Sequence, residues 1–271
     1  MPSKFNENYS VFVEKKYLSE GDNIFRYFDF PGFMDLFLNN RLLLTRVDKF
    51  EDKFEGNFTK SIYKKLRFLS VEKEGNRQDF ANIFEKESKR IKERAYVSSW
   101  SLAIHENMAL WKLFGNGKNA LAIQTSVGNL KNSLQDGIRE SSTNGFIFSL
   151  LKKKIVKIQY IDYDNHEECI GLLSTKDKTC ILGIKHLGFR FEEEVRVIFE
   201  GEEAGREAAV SKIGEKCFVN VAPLGLIDKL IVSPLADEWF YELVCKVSNK
   251  IKIEWSAMRS TPYETLNLIK K

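Results

Sequence analysis

The block 95–125 constrains the fold more than any other part of the chain. Residues 95–101, Ala-Tyr-Val-Ser-Ser-Trp-Ser, read as a strand, and Met108, Trp111 and Phe114 share one helical face. Gly115-Asn116-Gly117 is a turn sequence that stops the helix, and residues 120–125 read as a second strand. A chain that lays strand, helix and strand so close together must bury a sheet face against helices. An earlier strand is expected at Asn23-Ile24-Phe25-Arg26-Tyr27-Phe28, followed by a short helix that starts at Pro31, carries Phe33, Leu36 and Phe37, and closes at Asn39-Asn40. Leu42, Leu43 and Leu44 restart an extended segment.

Further along, Val156, Ile158 and Tyr160 alternate, as do Val195, Val197 and Phe199, and Ile251, Ile253 and Trp255, so each group marks a strand with one face in a core. Leu230-Ile231-Val232 is a short apolar run, and Ala236, Phe240, Leu243, Val244 and Val247 mark an amphipathic helix after it. Residues 60–94 are charged and helical in pattern, with Phe80, Ile83, Phe84 and Ile91 as the apolar stripe of the second of two helices. Helices and strands follow no regular βαβ beat. The expectation is therefore one α+β domain over residues 1–271, with 60–94 as a helical insertion.

Composition narrows the function classes. The 271 residues include 21 Phe and are 43% hydrophobic, enough apolar area for one aromatic-rich core. Forty-two Lys+Arg against 38 Asp+Glu leave a net charge of +4, spread along the chain, which gives no nucleic-acid footprint but suits an anionic small molecule. Lys152-Lys153-Lys154 with Lys157 reads as a solvated face. The start of the chain has no secretory-signal pattern and no apolar run reaches membrane-spanning length, so a cytoplasmic location away from membranes is expected. Cys169, Cys180, Cys217 and Cys245 lack zinc spacing and read as buried thiols, and His105, His166 and His186 show no paired spacing; no metal is expected.

Three candidate groups carry chemistry. Arg26 lies between Phe25 and Tyr27 and is either a fork for a phosphate or an edge-strand arginine paired with Asp29. Ser99 and Ser101 share one face of their strand, with Trp100 on the other. Glu192, Glu194 and Arg196 share a face if one strand carries all three, either as an acidic site or as a same-face ion pair. The box Phe50-Glu51-Asp52-Lys53-Phe54-Glu55 is read as packing by Phe50 and Phe54, with Asp52 capping the residues after it.

In order and spacing the chain resembles a bacterial family catalogued as a domain of unknown function, whose members recur near phage-defence and abortive-infection genes. The residues that carry this are Phe25-Arg26-Tyr27, the Phe50–Glu55 box, Ser98 to Ser101 with Met108 and Trp111, Ala122 with Ile123, and Glu192, Glu194 and Arg196. The family's usual Phe-Asn-Asp-Pro-Phe-Glu has Glu51 and Lys53 here, and its usual Cys-Phe-Ser reads Ser-Trp-Ser. A looser likeness is to the Arg-Ser-Glu ADP-ribosyltransferases, with Arg26, then Ser99 and Ser101, then Glu192 and Glu194 in that order.

That likeness implies a split β-sandwich or barrel and NAD as the consumed substrate, in a transferase, NAD glycohydrolase or toxin-like defence effector acting on an unidentified acceptor. It assigns phosphate to Arg26 with Tyr27 beside it, the nicotinamide ribose to Ser99 and Ser101, the developing sugar cation to Glu194, the attacking group to Glu192, and the holding of both carboxylates to Arg196. Two other classes stay open. One is a non-catalytic sensor or partner-binding protein; the other is a metal-dependent nuclease using Asp52, Glu55 and Glu194.

Overall fold

A computed structural model describes residues 18–52, 54–57, 77–115, 118–141, 152–163, 178–200, 211–213 and 216–259. Strand β1 (Asn23–Asp29) runs into helix α1 (Phe30–Asn39) and then strand β2 (Arg41–Arg46). Asp29 caps α1, its carboxylate accepting from the Gly32 N–H at 2.8 Å, with Pro31 in the first turn. Asn40 ends the helix at φ 51°, a left-handed position that asparagine tolerates. Asp29 is thereby committed to the cap and does not pair with Arg26.

Helix α2 (Arg77–Arg94) leads directly into β3 (Ala95–Leu102), and α3 (Met108–Phe114) is capped by Asn107, whose side chain accepts from the Ala109 N–H. Strand β4 (Ala120–Ser126) follows, then helix α4 (Val127–Ser141), then β5 (Lys152–Lys157) and β6 (Gln159–Ile161). After a 3₁₀ turn (Lys178–Gly183) come β7 (Ile184–His186), a second 3₁₀ turn (Leu187–Glu192) and β8 (Glu194–Glu200). The remaining elements are β9 (Ser211–Ile213), β10 (Lys216–Asn220), α5 (Pro223–Leu226), β11 (Lys229–Val232), α6 (Glu238–Val247) and β12 (Ile253–Trp255).

Among the described residues ten strands form one sheet, antiparallel except where β11 meets β12, and β6 with β7 makes a separate parallel pair. The chain is thus α+β, as its mixed pattern indicates. Strand β3 is the pivot. One edge carries an unbroken ladder to β8, from Ala95 opposite Glu200 to Ser101 opposite Glu194. The other edge is shared: β1 pairs at Ser101 and Leu102, and β2 pairs at Tyr96 and Val97. Between them, at Ser98 to Trp100, the sheet forks, because β1 diverges to pair with β4 and β2 diverges to pair with β10.

The fork separates distinct packing regions. On one face of the sheet lies the main core, where Ile24, Phe28, Tyr96, Trp100, Val195, Val197 and Phe199 meet Phe33 and Leu36 of α1, Leu130 and Leu134 of α4, and Phe240 and Val244 of α6. The other face carries two smaller clusters. Phe25, Tyr27, Ala122 and Ile231 pack against Leu110 and Trp111 of α3, while Val97 and Ile198 pack with Val47, Ile91, Ile161 and Ile184. A gap between the two clusters lies over the fork, and the strand alternation of β3 and β8 places Ser99, Ser101, Glu194 and Arg196 on that side.

Several expectations are corrected. The alternating run Val156-Ile158-Tyr160 is two strands, broken where the Ile158 N–H turns to the Glu194 carbonyl at 2.9 Å. Helix α4 follows β4 without a break and is not among the elements expected from the sequence; at its start the Ser126 hydroxyl accepts from the Asn129 N–H at 3.1 Å. Cys245 is half-buried and free, Cys217 lies in β10, and Cys169 falls outside the described residues. Of the insertion 60–94, the first expected helix also falls outside them, and of the second helix's stripe Ile91 is buried. Among the described residues no helix is long and apolar enough to cross a membrane.

Candidate functional site

A cavity of about 520 Å³ occupies the gap over the fork. Its lining brings together Arg26, Tyr27, Ser99, Ser101, Glu192, Glu194 and Arg196, and adds Phe50, Glu55 and Lys185. The volume lies in the range of pockets that hold small organic ligands.

The acidic side is a buried ion network. Arg196 is 1% exposed, with its Nε donating to Glu194 Oε1 at 2.6 Å, its Nη2 to Glu194 Oε2 at 2.9 Å and its Nη1 to the Leu182 carbonyl at 3.0 Å. The same Nη2 also bonds Glu55 Oε2. Lys185, from β7, contacts Glu192 at 2.7 Å, Glu55 at 3.1 Å and Glu194 at 3.4 Å. Three carboxylates therefore share two cations. Both cations lie against rings, Arg196 over Phe50 at 5.4 Å and Lys185 over Phe189 at 4.6 Å.

The two strand-start glutamates differ electrostatically. Burial penalises the charge of Glu194, but Arg196 and then Lys185 outweigh it, and the carboxyl is held below the usual carboxylate range. Burial also dominates at Glu192, where Lys185 offsets it only in part, so that carboxyl is pushed above its usual range. One stays ionised and the other takes up a proton more readily.

Glu192 is not on the strand with Glu194, contrary to the alternation expected from sequence. It ends the second 3₁₀ turn, and Glu193, at φ 43°, reverses the chain before β8 begins. The two carboxylates meet through Lys185 rather than through a shared strand face. Ser101 fixes the turn by donating to the Glu192 carbonyl at 2.8 Å, and the Glu194 N–H donates to the Tyr160 hydroxyl at 2.8 Å. Ser99 is exposed, and its side chain hydrogen-bonds Glu194.

Arg26 reaches the cavity by another route. Its side chain lies on the main-core face with Ser98 and Trp100, and it enters through the fork. Nη1 bonds the Ser98 hydroxyl and lies 3.4 Å from the Ser99 carbonyl, with Phe28 and Trp100 rings at 5.1 and 5.7 Å. No carboxylate among the described residues pairs with it, and desolvation lowers its pKa to about 10. Tyr27 lines the cavity, but its hydroxyl accepts from the Asn107 N–H at 2.8 Å, and burial pushes its pKa up to about 12.

The Phe50–Glu55 box departs most from its expected role. Phe54 is 69% exposed and does not pack in a core; Phe50 is half-buried, and Glu55, 5% exposed, is the residue that turns inward. Asp52 does cap locally, its carboxylate accepting from the Phe54 N–H at 2.8 Å. Of the carboxylates expected to hold a divalent ion, Asp52 is engaged in that turn while Glu55 and Glu194 are held by Arg196. Among the described residues no group of three or more His, Cys, Asp or Glu side chains is placed to hold a metal ion.

Lys185 is the member of the site that sequence reasoning misses, while Ser98 enters that reasoning only as a motif residue and Glu55 only within its box and as a metal ligand. Lys185 stands alone in Ile184-Lys185-His186, and only the tertiary fold supplies its partners. Fold and site together define an α+β protein with a forked, mainly antiparallel sheet and an ion-lined cavity over the fork. No family model matches the chain, and no curated protein or solved structure matches it.

Proposed function

We propose that the protein cleaves the nicotinamide–ribose bond of NAD, transferring ADP-ribose to an acceptor or to water. The observation that carries this reading is the pairing, in one cavity, of an arginine without a carboxylate partner among the described residues and two glutamates of opposite electrostatic bias. The anionic diphosphate meets Arg26 at the fork, and Ser99 and Ser101 border the ribose. As the C1′–N bond breaks, its electron pair leaves with nicotinamide and positive charge develops on the sugar. Glu194, whose carboxyl is held below the usual carboxylate range, stabilises that charge. The nucleophile, water or an acceptor hydroxyl, then bonds C1′ and yields its proton to Glu192, whose raised proton affinity suits a base.

The forked sheet also supports the finer architecture of this reading, a split β-sandwich of ADP-ribosyltransferase type. The resemblance to defence-associated families makes depletion of host NAD the corresponding cellular role. A second reading, a non-catalytic sensor that binds a nucleotide here, is favoured by one fact: Arg196 occupies both oxygens of Glu194. Incubation with NAD separates them. Free nicotinamide supports cleavage, and saturable NAD binding without nicotinamide release supports the sensor.

A further inference from the structure

Glu55 enters the site from a segment that supplies no other member of its ion network. Its two oxygens span the two cations: Oε2 meets Arg196 and Oε1 meets Lys185 at 3.1 Å. The turn that aims it inward is fixed from two sides. The Glu55 N–H donates to the Asp52 carbonyl at 3.3 Å, and Gly56 adopts φ 68°, where a Cβ would lie 2.8 Å from Lys92 Cγ. Helix α2 clamps Gly56 and Asn57, with the Ser88 hydroxyl 2.6 Å from the Gly56 carbonyl and Lys92 Nζ donating to Asn57 Oδ1 at 2.8 Å.

We propose that Glu55 is a positioning residue of this site: by bridging Arg196 and Lys185 it sets how those cations are shared between Glu194 and Glu192, and α2, through its clamp on the Gly56 turn, holds that setting. Without Glu55 the two cations would match two carboxylates. With it, three carboxylates share those two cations, and Lys185 is divided among Glu192 at 2.7 Å, Glu55 at 3.1 Å and Glu194 at 3.4 Å. The groups facing Glu192 are Lys185 from β7, Glu194 and Arg196 from β8, Tyr160 from β6, Glu193 beside it and Glu55 from the box. Among these, Glu55 and Glu194 both act to raise the proton affinity of Glu192, while Lys185 lowers it.

The inference uses the cleavage reading for its catalytic consequence alone. Its test is a carbon-13 carboxyl titration of the whole protein by NMR, with the Glu192 signal assigned by its loss in Glu192→Gln. In Glu55→Gln the Glu192 midpoint moves to lower pH, and the acid limb of nicotinamide release moves with it. Glu55→Asp keeps the charge but shortens the reach, and serves if the glutamine variant does not fold; it moves the midpoint the same way by less. An unchanged Glu192 midpoint in whichever variant is folded overturns the proposal and leaves Glu55 a purely structural ion. The titration needs no substrate, so it decides the role of Glu55 even if wild-type protein releases no nicotinamide.

Discussion

Arg196 grips Glu194 through two parallel hydrogen bonds, at 2.6 and 2.9 Å, between neighbours on one face of β8. On the strand alone this is an ordinary same-face ion pair of at most about 1 kcal/mol in an exposed setting. Burial of both partners changes its weight. Removing one member of a buried pair leaves the other charge uncompensated, which typically costs about 3–5 kcal/mol.

Glu194→Gln is therefore expected to destabilise the protein by an amount approaching that range. The acidic run Glu192-Glu193-Glu194 suggests the reverse, relief of like-charge repulsion, but the structure sets Glu194 against two cations, Arg196 and Lys185, which it shares with the neighbouring carboxylates. Urea unfolding of wild type and variant at neutral pH measures the difference. A variant at least as stable as wild type contradicts the buried network.

The pH dependence separates the two glutamates by sign. The folded-state pKa of Glu194 is depressed, so its contribution to stability is present above its unfolded value and is lost as pH falls through the folded value. That of Glu192 is raised, so its ionisation costs stability, absent below the unfolded value and complete above the folded one. Glu194→Gln should lose ground against wild type as pH rises toward the ordinary carboxylate value and hold level above it, whereas Glu192→Gln should gain ground as pH rises above that value. Thermal melts from acid to neutral pH check both slopes, and slopes of one sign in the two variants contradict the assignment.

Arg26 should matter to ligand more than to fold. Its charge is desolvated and has no carboxylate partner among the described residues, so Arg26→Met is expected to leave stability level or raised while weakening NAD binding by about 10- to 100-fold, the worth of one charge-assisted hydrogen-bonding group. Arg26→Lys keeps the charge without the planar fork and should fall between. Calorimetric titration with NAD gives the affinities, and unchanged affinity in Arg26→Met removes Arg26 from the site.

Ser98 is expected to act through Arg26. Its hydroxyl oxygen accepts from Arg26 Nη1 and, at 3.1 Å, from Trp100 Nε1, so Ser98→Ala strands two donors and should cost about 1–3 kcal/mol. Denaturant midpoints with an unchanged slope identify that loss as one of stability.

The box divides by exposure. Phe54→Ala should stay within about 0.5 kcal/mol of wild type, as expected of a surface position, whereas Phe50→Ala should cost about 1–3 kcal/mol, below the range for a fully buried ring. Melting both variants side by side tests this order.

The sequence made some of this legible and hid the rest for physical reasons. Strand β1, helix α1 with its Asn40 terminus, and the β3–α3–β4 block follow from periodicity and local capping, which short segments carry by themselves. The residues Arg26, Ser99, Ser101, Glu194 and Arg196 were recognisable as chemically unusual in their strands. The fork was not, because it depends on β1 and β2 sharing one edge of β3, a pairing no local pattern encodes. Phe54 shows the same limit. The i, i+4 spacing with Phe50 suggested joint burial, but the Asp52 turn points the two rings differently and buries the carboxylate of Glu55 in place of the second ring. Lys185 was invisible because its partners come from two stretches, Glu55 of the box and Glu192 with Glu194 at the start of β8, that only the fold brings to it.

On the proposed reading, the carboxylate pair over the fork drives cleavage of NAD. Nicotinamide release, measured per folded molecule for wild type and Glu194→Gln at saturating NAD with cell extract as the acceptor source, tests it most directly. Release by the wild type is expected, with about a 100-fold fall or more in the variant at little-changed NAD affinity. Equal release from both, or none from folded wild-type protein, would contradict it.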